Sequence, residues 1–119
     1  MNNFKDLIVW QKSIELTKEI YLITKNFPQD EKYGLISQMK RAAVSIPSNI
    51  AEGAGRKSSK EFKHFLAIST VSIFELETQI IIASHLNLID ELILNDICLK
   101  VSEIQKMLFG LEKSINISN

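Results

Sequence analysis

The sequence has few of the residues that support covalent or metal chemistry. Its single cysteine, Cys98, excludes an internal disulfide, suits a reducing compartment and is predicted to be a small core residue. The two histidines, His64 and His85, stand apart and lack a metal-ligand spacing such as His-x-x-x-His. No Ser/His/Asp arrangement of a hydrolase can be assembled. We therefore expect a protein that is not an enzyme and that uses neither a metal nor a cofactor.

Net charge and long apolar runs are also missing. The formal net charge is zero, so the chain as a whole exerts no long-range attraction on nucleic acid or membrane. The longest stretch without Asp, Glu, Lys or Arg, from Thr78 to Ile89, spans twelve residues and is too short to cross a bilayer. Residues 1–6 lack a signal-peptide pattern. These absences predict a cytoplasmic protein that is not bound to a membrane.

Strand alternation, internal repeats and low-complexity segments are absent, and apolar residues recur instead at helical spacing. The pattern predicts helices over about 6–26, from about 31 through Pro47 to Glu52, from Ser58 or Ser59 to about 86, and from Asp90 onward. A chain of 119 residues suits one domain, residues 1–119. Four helices with short loops predict an all-α fold, an antiparallel up-down-up-down four-helix bundle.

Three of the predicted helices have an apolar stripe suited to a bundle core. In helix 1 one stripe is Leu7, Trp10, Ile14, Tyr21 and Thr24, and beside it lie Leu16, Ile20, Ile23 and Phe27. In helix 3 it is Phe62, Phe65, Ser69, Ile73, Leu76, Ile80 and Ala83. In helix 4 apolar residues alternate at spacings of three and four: Leu94, Ile97, Val101, Ile104, Leu108, Leu111 and Ile115. Trp10 and Tyr21 are thus assigned to the core or an interface rather than to base stacking.

Helices 3 and 4 also have apolar residues outside these stripes. They are Ile68, Val71, Ile81 and Ile82 in helix 3, and Leu92, Ile93, Leu99 and Phe109 in helix 4. A helix that is apolar most of the way round is buried on more than one side. In a four-helix monomer this excess predicts an oligomer interface.

Pro47 lies inside an otherwise good helix-forming stretch. Because proline has no N–H, the carbonyl of Ala43 loses its helical donor, and the ring clashes with that turn. Helix-forming residues resume at Asn49, so one kinked helix is predicted rather than two separate helices. Asn49 and Ser45 are the two candidates to satisfy the backbone groups that Pro47 frees.

The end of helix 2 has a charge that needs a partner. Glu52 lies near the helix C-terminus, where its charge opposes the helix dipole. Arg56, four residues on, and Arg41, three turns earlier, are its candidate partners. Gly53 and Gly55 are expected to end the helix by adopting positive φ.

Basic residues are concentrated in the middle of the chain. Residues 32–64 hold seven Lys and Arg against two Glu, a balance of +5, whereas the segments before and after balance at −1 and −4. The loop after helix 2 brings cations to the start of helix 3, whose free N–H groups favour an anion. The candidate phosphate contacts are Lys40, Arg41, Arg56, Lys57, Lys60 and Lys63. A solvated polar face explains the same residues equally well. No aromatic is placed beside them, so any nucleic-acid binding is expected to be led by the backbone phosphates and sensitive to salt.

Motifs over most of the chain match those of one bacterial family. The central stretch has Gln38, Arg41-Ala42-Ala43, Ser45-Ile46-Pro47, Asn49-Ile50-Ala51-Glu52-Gly53 and Arg56. Further matches are Phe4-x-x-Leu7-x-Val9-Trp10-Gln11-Lys12, Phe27-Pro28, Tyr33-Gly34-Leu35 and Ser72-x-x-Glu75-Leu76-Glu77-Thr78. These residues resemble the four-helix-bundle family named for proteins encoded in 23S rRNA intervening sequences, also labelled S23. Val71 stands where that family usually has Gly, which predicts looser helix packing there.

The resemblance implies properties that composition and spacing do not. Relatives form homopentameric barrels of four-helix bundles, which implies a homopentamer here. One branch resembles the accessory protein of diversity-generating retroelements, which partners a reverse transcriptase and binds nucleic acid. The resemblance therefore implies binding of RNA or DNA and a protein partner such as a reverse transcriptase. The alternative is a protein–protein interaction scaffold with no nucleic-acid role, in which the +5 and −4 segments complement each other between subunits.

Overall fold

Four long α-helices account for most of the chain. A computed structural model describes residues 3–31 and 34–115. The helices are α1 (Ile8–Thr24), α2 (Leu35–Ala54), α3 (Ser59–His85) and α4 (Glu91–Ser114), and 3-10 turns at Phe4–Asp6 and Gln29–Glu31 precede α1 and α2. These two ranges contain no strand, which confirms the all-α prediction. Lys32 of the basic segment and Tyr33 of the family motif lie outside the described residues.

Each helix packs against two others, so the four form a closed bundle. The neighbouring pairs are α1–α2, α2–α3, α3–α4 and α1–α4. The last pair is antiparallel, because Lys12 contacts Glu103 whereas Glu19, later on α1, contacts Lys100, earlier on α4. Short connections join α2 to α3 and α3 to α4. The predicted up-down-up-down bundle is confirmed.

The interior is filled by one largely apolar stripe from each helix. The α4 seam is confirmed, with its centre buried at Ile97, Val101, Ile104 and Leu108. The α3 stripe is buried at Ser69, Ile73, Leu76, Ile80 and Ala83, as predicted. Among its buried residues α2 adds Met39, Ala43, Ile46 and Ile50. Burying a large aliphatic side chain contributes about 1.5–3 kcal/mol relative to leaving it exposed, so these stripes hold the helices together.

The buried stripe of α1 is rotated from the main predicted stripe toward the residues predicted beside it. Of the main stripe, Ile14 and Tyr21 are 40% and 41% exposed. The buried residues Leu16, Ile20 and Thr24 were predicted, whereas Val9 and Ser13 were missed. Ser13 tolerates burial because its hydroxyl donates to a carbonyl of its own helix.

The helix α2 runs unbroken across Pro47, and the angle of the predicted kink stays a prediction. Thr17 Oγ1 of α1 lies 3.1 Å from the carbonyl freed at Ala43 and 2.8 Å from Ser13 O of its own helix, so these two carbonyls share its one hydroxyl hydrogen. The prediction that Ser45 or Asn49 satisfies Ala43 O is therefore wrong. Asn49 Nδ2 donates instead to Ser45 O at 2.8 Å and to Ser45 Oγ at 3.0 Å. Ala43 is fully buried against α1, whereas Ser45 and Asn49 are partly exposed, which explains the difference.

Gly53 lies within α2 rather than beyond its end. The chain's glycines all fall in the described ranges, and none of them has positive φ. The helix α2 ends at Ala54, and Gly55 follows in the αR conformation. A Cβ at Gly53 would lie 2.8 Å from Phe65 Cβ and 2.9 Å from Phe62 Cδ1. Gly55 thus caps the end of the helix as predicted, although without positive φ, whereas the prediction that Gly53 also ends it is wrong. Glycine is needed at position 53 because α3 approaches closely there.

Within the described residues, α3 is the one helix long and apolar enough to cross a membrane. Its most apolar 18-residue window has a mean hydropathy of 1.6 and is 39% buried. Length and composition alone do not separate such a span from the core helix of a bundle, and here α3 packs against α2 and α4. The small buried share shows that much of the apolar surface of α3 faces outward.

Candidate interaction surfaces

The outward side of α3 has a second apolar stripe. All of its members are exposed: Ala67, Val71, Phe74, Thr78, Ile81 and Ile82. We call these residues the outer α3 seam. Its first five residues follow one another at spacings of four and three, which align on one helix face as in a coiled coil. Val71 is 67% and Phe74 is 53% exposed, so nothing in the described bundle covers the middle of the seam.

The outer α3 seam contains three residues that the sequence pattern assigned outside the core, Val71, Ile81 and Ile82. The pattern missed Phe74, although its position three residues after Val71 is the signal that identifies it. Because Val71 points away from the bundle, it does not enter the packing among the four helices of one chain. Looser packing at this position is therefore not found within the bundle, and between copies it stays a prediction.

Arg56 holds the connection between α2 and α3. Its Nη2 donates to Glu52 Oε2 at 2.8 Å, and its Nη1 lies 3.7 Å from Glu61 Oε2. The guanidinium carbon also lies 4.8 Å from the centre of the Phe65 ring. Of the two candidate partners for Glu52, the structure thus selects Arg56 over Arg41. Two carboxylates offset the charge of Arg56, so it has less charge to offer a phosphate than the sequence suggests.

Three other predicted phosphate contacts lie beside Arg56. Lys57 and Lys60 are exposed, Lys63 is half-buried, and none has an ion pair within the described ranges. We call these three lysines the cationic end of the bundle. They flank the start of α3, where the Glu61 amide donates to Ser58 Oγ at 3.1 Å, as the capping pattern predicts. The Glu61 carboxylate also occupies this helix start and partly offsets its attraction for an anion.

Lys40 and Arg41 lie away from the cationic end. On α2, Lys40 is about 21 Å from Ala54 along the helix axis. Its ammonium lies 4.8 Å from the centre of the Tyr21 ring, and Arg41 lines a polar cavity of 280 Å³ with Gln38 and Glu75. The six predicted cations therefore do not form one surface. Tyr21 also contradicts the expectation that no aromatic accompanies them, because the rotated stripe of α1 turns it outward.

The described part of the chain contains no group of three or more His, Cys, Asp or Glu placed to hold a metal. Burial of the Cys98 thiol, and secondarily the Glu77 carboxylate, raises the pKa of this thiol. Little thiolate forms at neutral pH, so Cys98 lacks the character of a nucleophile.

The bundle and its motifs can now be compared with known families. The family model for the 23S rRNA-intervening sequence protein matches residues 5–110. The chain belongs to this family. The match includes nearly all of the four helices and both the outer α3 seam and the cationic end.

A solved structure related to this 23S rRNA-intervening sequence protein has the same fold. It is a protein of unknown function from the S23 ribosomal protein family of Bacteroides thetaiotaomicron VPI-5482, 26% identical, with a TM-score of 0.85. The match covers 92% of this chain and 99% of the other. No curated protein matches the chain. The proposals for the function of this chain therefore rest on its surfaces.

Proposed function

We propose that this 23S rRNA-intervening sequence protein is a non-enzymatic homo-oligomer that assembles through the outer α3 seam. One observation carries the proposal, the exposure of Val71, Phe74, Ile81 and Ile82 along one helix face. Contiguous apolar patches of this kind mark interaction sites on soluble proteins. Burying the exposed half of each side chain contributes on the order of 1 kcal/mol.

The subunit number that we propose is five, because the sequence resembles a family whose relatives form homopentameric barrels. A closed ring of more than two identical subunits uses two different, complementary surfaces on each copy. Apolar side chains are indeed exposed on helices other than α3, including Leu22 of α1 and Leu92 of α4. This distribution supports a ring over a dimer held by one patch.

Replacing Phe74 by Glu tests the assembly. The variant places a charge in the middle of the seam, so we expect the oligomer to fall to monomers in size-exclusion chromatography with light scattering. Val44→Glu is the matched control, because Val44 is 40% exposed on α2, away from the seam. It should keep the mass of the unmodified protein. An unchanged mass for Phe74→Glu, with helicity confirmed by circular dichroism, would refute assembly through the seam.

The cationic end supports a second proposed activity, binding of RNA or DNA through backbone phosphates. Its three lysines have no ion pair among the described residues and sit within seven positions of one another. One copy offers few phosphate contacts, but an oligomer repeats them and adds their effects. A protein partner such as a reverse transcriptase belongs to the same proposal by family analogy. The alternative is a protein–protein interaction scaffold with no nucleic-acid role.

Fluorescence anisotropy with a structured RNA and a matched duplex DNA, at several salt concentrations, separates these two activities. We expect affinity to fall steeply with salt, since each neutralised phosphate contributes about 0.9 to the log–log slope on duplex DNA. Lys57→Glu with Lys60→Glu should lower the affinity and reduce that slope by roughly two per copy engaged. Lys106→Glu, an exposed site on α4, is the control for net charge.

The oligomer mass of the variant with both Lys57→Glu and Lys60→Glu separates nucleic-acid binding from the scaffold alternative. A nucleic-acid binder should lose affinity while its mass stays unchanged. Dissociation of the subunits would show that the lysines act at subunit contacts, as the scaffold alternative requires. Absence of binding by the unmodified protein at low salt would reject the nucleic-acid activity.

A further inference from the structure

A groove runs between α1 and α4 on the side of the bundle away from α2 and α3. It consists of a cavity of 450 Å³ with Leu16 and Ile104 among its lining residues, and a neighbouring cavity of 340 Å³ lined by Ile23, Leu92 and Ile97. Glu19 and Leu22 line both cavities, so the two form one continuous depression, which we call the α1–α4 groove.

Charged pairs, rather than interlocking apolar side chains, bridge the rim of the groove. Lys12 Nζ lies 3.2 Å from Glu103 Oε1. Lys100 binds Glu19 and, at 3.0 Å, Asp96, and these hydrogen bonds raise the pKa of Lys100, so it stays charged at neutral pH. Long charged side chains hold the two helices at a distance, which leaves apolar surface between them open.

We propose that the outer α3 seam of a second copy of this chain docks in the α1–α4 groove, head to tail. The inference rests on the proposed self-assembly and names the surface that receives the seam. The groove is long enough for the large apolar side chains of the seam, because Val71 to Ile82 and the α1 lining from Lys12 to Ile23 each span eleven helical steps, about 16 Å. The seam is convex and largely apolar, whereas the groove is concave with an apolar floor and an open side.

Charged groups on the two surfaces also correspond. Glu75 borders the seam and Lys18 lines the groove, and neither has an ion pair in the part of the chain that the structure describes. Their opposite charges attract when the seam of one copy meets the groove of the next. Seam-to-seam pairing would leave the groove uncovered.

Mixing two blocked variants tests the contact. Phe74→Glu disables the seam, and Leu22→Glu disables the groove at a side chain that is 52% exposed and therefore dispensable for the core. Each variant alone should be monomeric. Their equimolar mixture should form a dimer with twice the mass of one chain, because one intact seam then meets one intact groove. In this dimer the seam that stays free carries Phe74→Glu, and the groove that stays free carries Leu22→Glu. The two negative charges repel each other, so no further subunit is added and no ring closes.

The outcomes separate the inference from the proposed assembly. If Phe74→Glu keeps its full oligomer mass, assembly through the seam fails and the docking fails with it. If Phe74→Glu is monomeric but Leu22→Glu keeps the full mass, the seam is used and the groove is not, which overturns the docking alone. Two monomeric variants that stay monomeric when mixed also overturn it. Leu92→Glu, on the opposite rim and 81% exposed, should behave as Leu22→Glu does and guards against a folding defect in one variant.

Discussion

Two glycines in helices have opposite surroundings. A Cβ at Gly53 would lie 2.8 Å from Phe65 Cβ, which cannot swing away, whereas a Cβ at Gly110 would meet nothing within 4 Å. We expect Gly53→Ala to lower the free energy of unfolding by about 1–3 kcal/mol through overpacking, partly offset by the better helix propensity of Ala.

Gly110→Ala is the matched control and should raise the free energy of unfolding by up to about 1 kcal/mol. Urea titrations in the Phe74→Glu background exclude any contribution from assembly. Equal stabilisation by the two substitutions would contradict the close approach of α2 and α3 at Gly53.

At the scale of the element, α1 and α2 are joined near Pro47, where a side chain of α1 replaces the backbone hydrogen-bond donor that the proline lacks. Proline leaves Ala43 O without its helical donor, and the Thr17 hydroxyl, which Ser13 O of α1 shares, replaces that donor at 3.1 Å. We expect Thr17→Val to lower the free energy of unfolding by about 1–3 kcal/mol, because a buried carbonyl is left unpaired. In a Pro47→Ala background the loss should be smaller, since the alanine that replaces the proline supplies a backbone N–H to Ala43 O.

The double-mutant cycle of Thr17→Val and Pro47→Ala measures this coupling directly. Thr70→Val is the control, because its hydroxyl donates to Leu66 O at 3.0 Å within α3, where no proline removes the helical donor. Equal losses from Thr17→Val in both backgrounds would show that the hydroxyl does not compensate for the proline.

At the scale of the whole molecule, folding and assembly are expected to be linked. A chain that buries the outer α3 seam only as an oligomer gains stability by mass action as its concentration rises. The Tm of the unmodified protein should therefore rise with protein concentration in thermal scans followed by circular dichroism, whereas that of Phe74→Glu should not change. A concentration-independent Tm in both proteins would contradict linked assembly at the concentrations used.

Local periodicity predicted the helices of this molecule well. A stripe such as Ile97, Val101, Ile104 and Leu108 can be recognised in the sequence without knowing which helix packs against it. It succeeded only in part for α1, where Leu16 and Ile20 were predicted, but the buried Ser13 was missed and Tyr21 of the main stripe is exposed. The candidate site was predicted in part. The prediction that α3 has apolar residues beyond those of its core stripe was correct, although it missed Phe74. The prediction that six cations form one surface was wrong.

The sequence by itself determined the number of helices, the stripes of α3 and α4, the need for some donor at Ala43 and the surplus of apolar surface, since each follows from neighbours within a few turns. Only the tertiary structure decided that Thr17 is that donor, that α3 leaves no room at Gly53, that Lys40 lies apart from Lys57, and that a groove opens between α1 and α4. These features depend on which faces of distant segments meet, and helical spacing has no information about that.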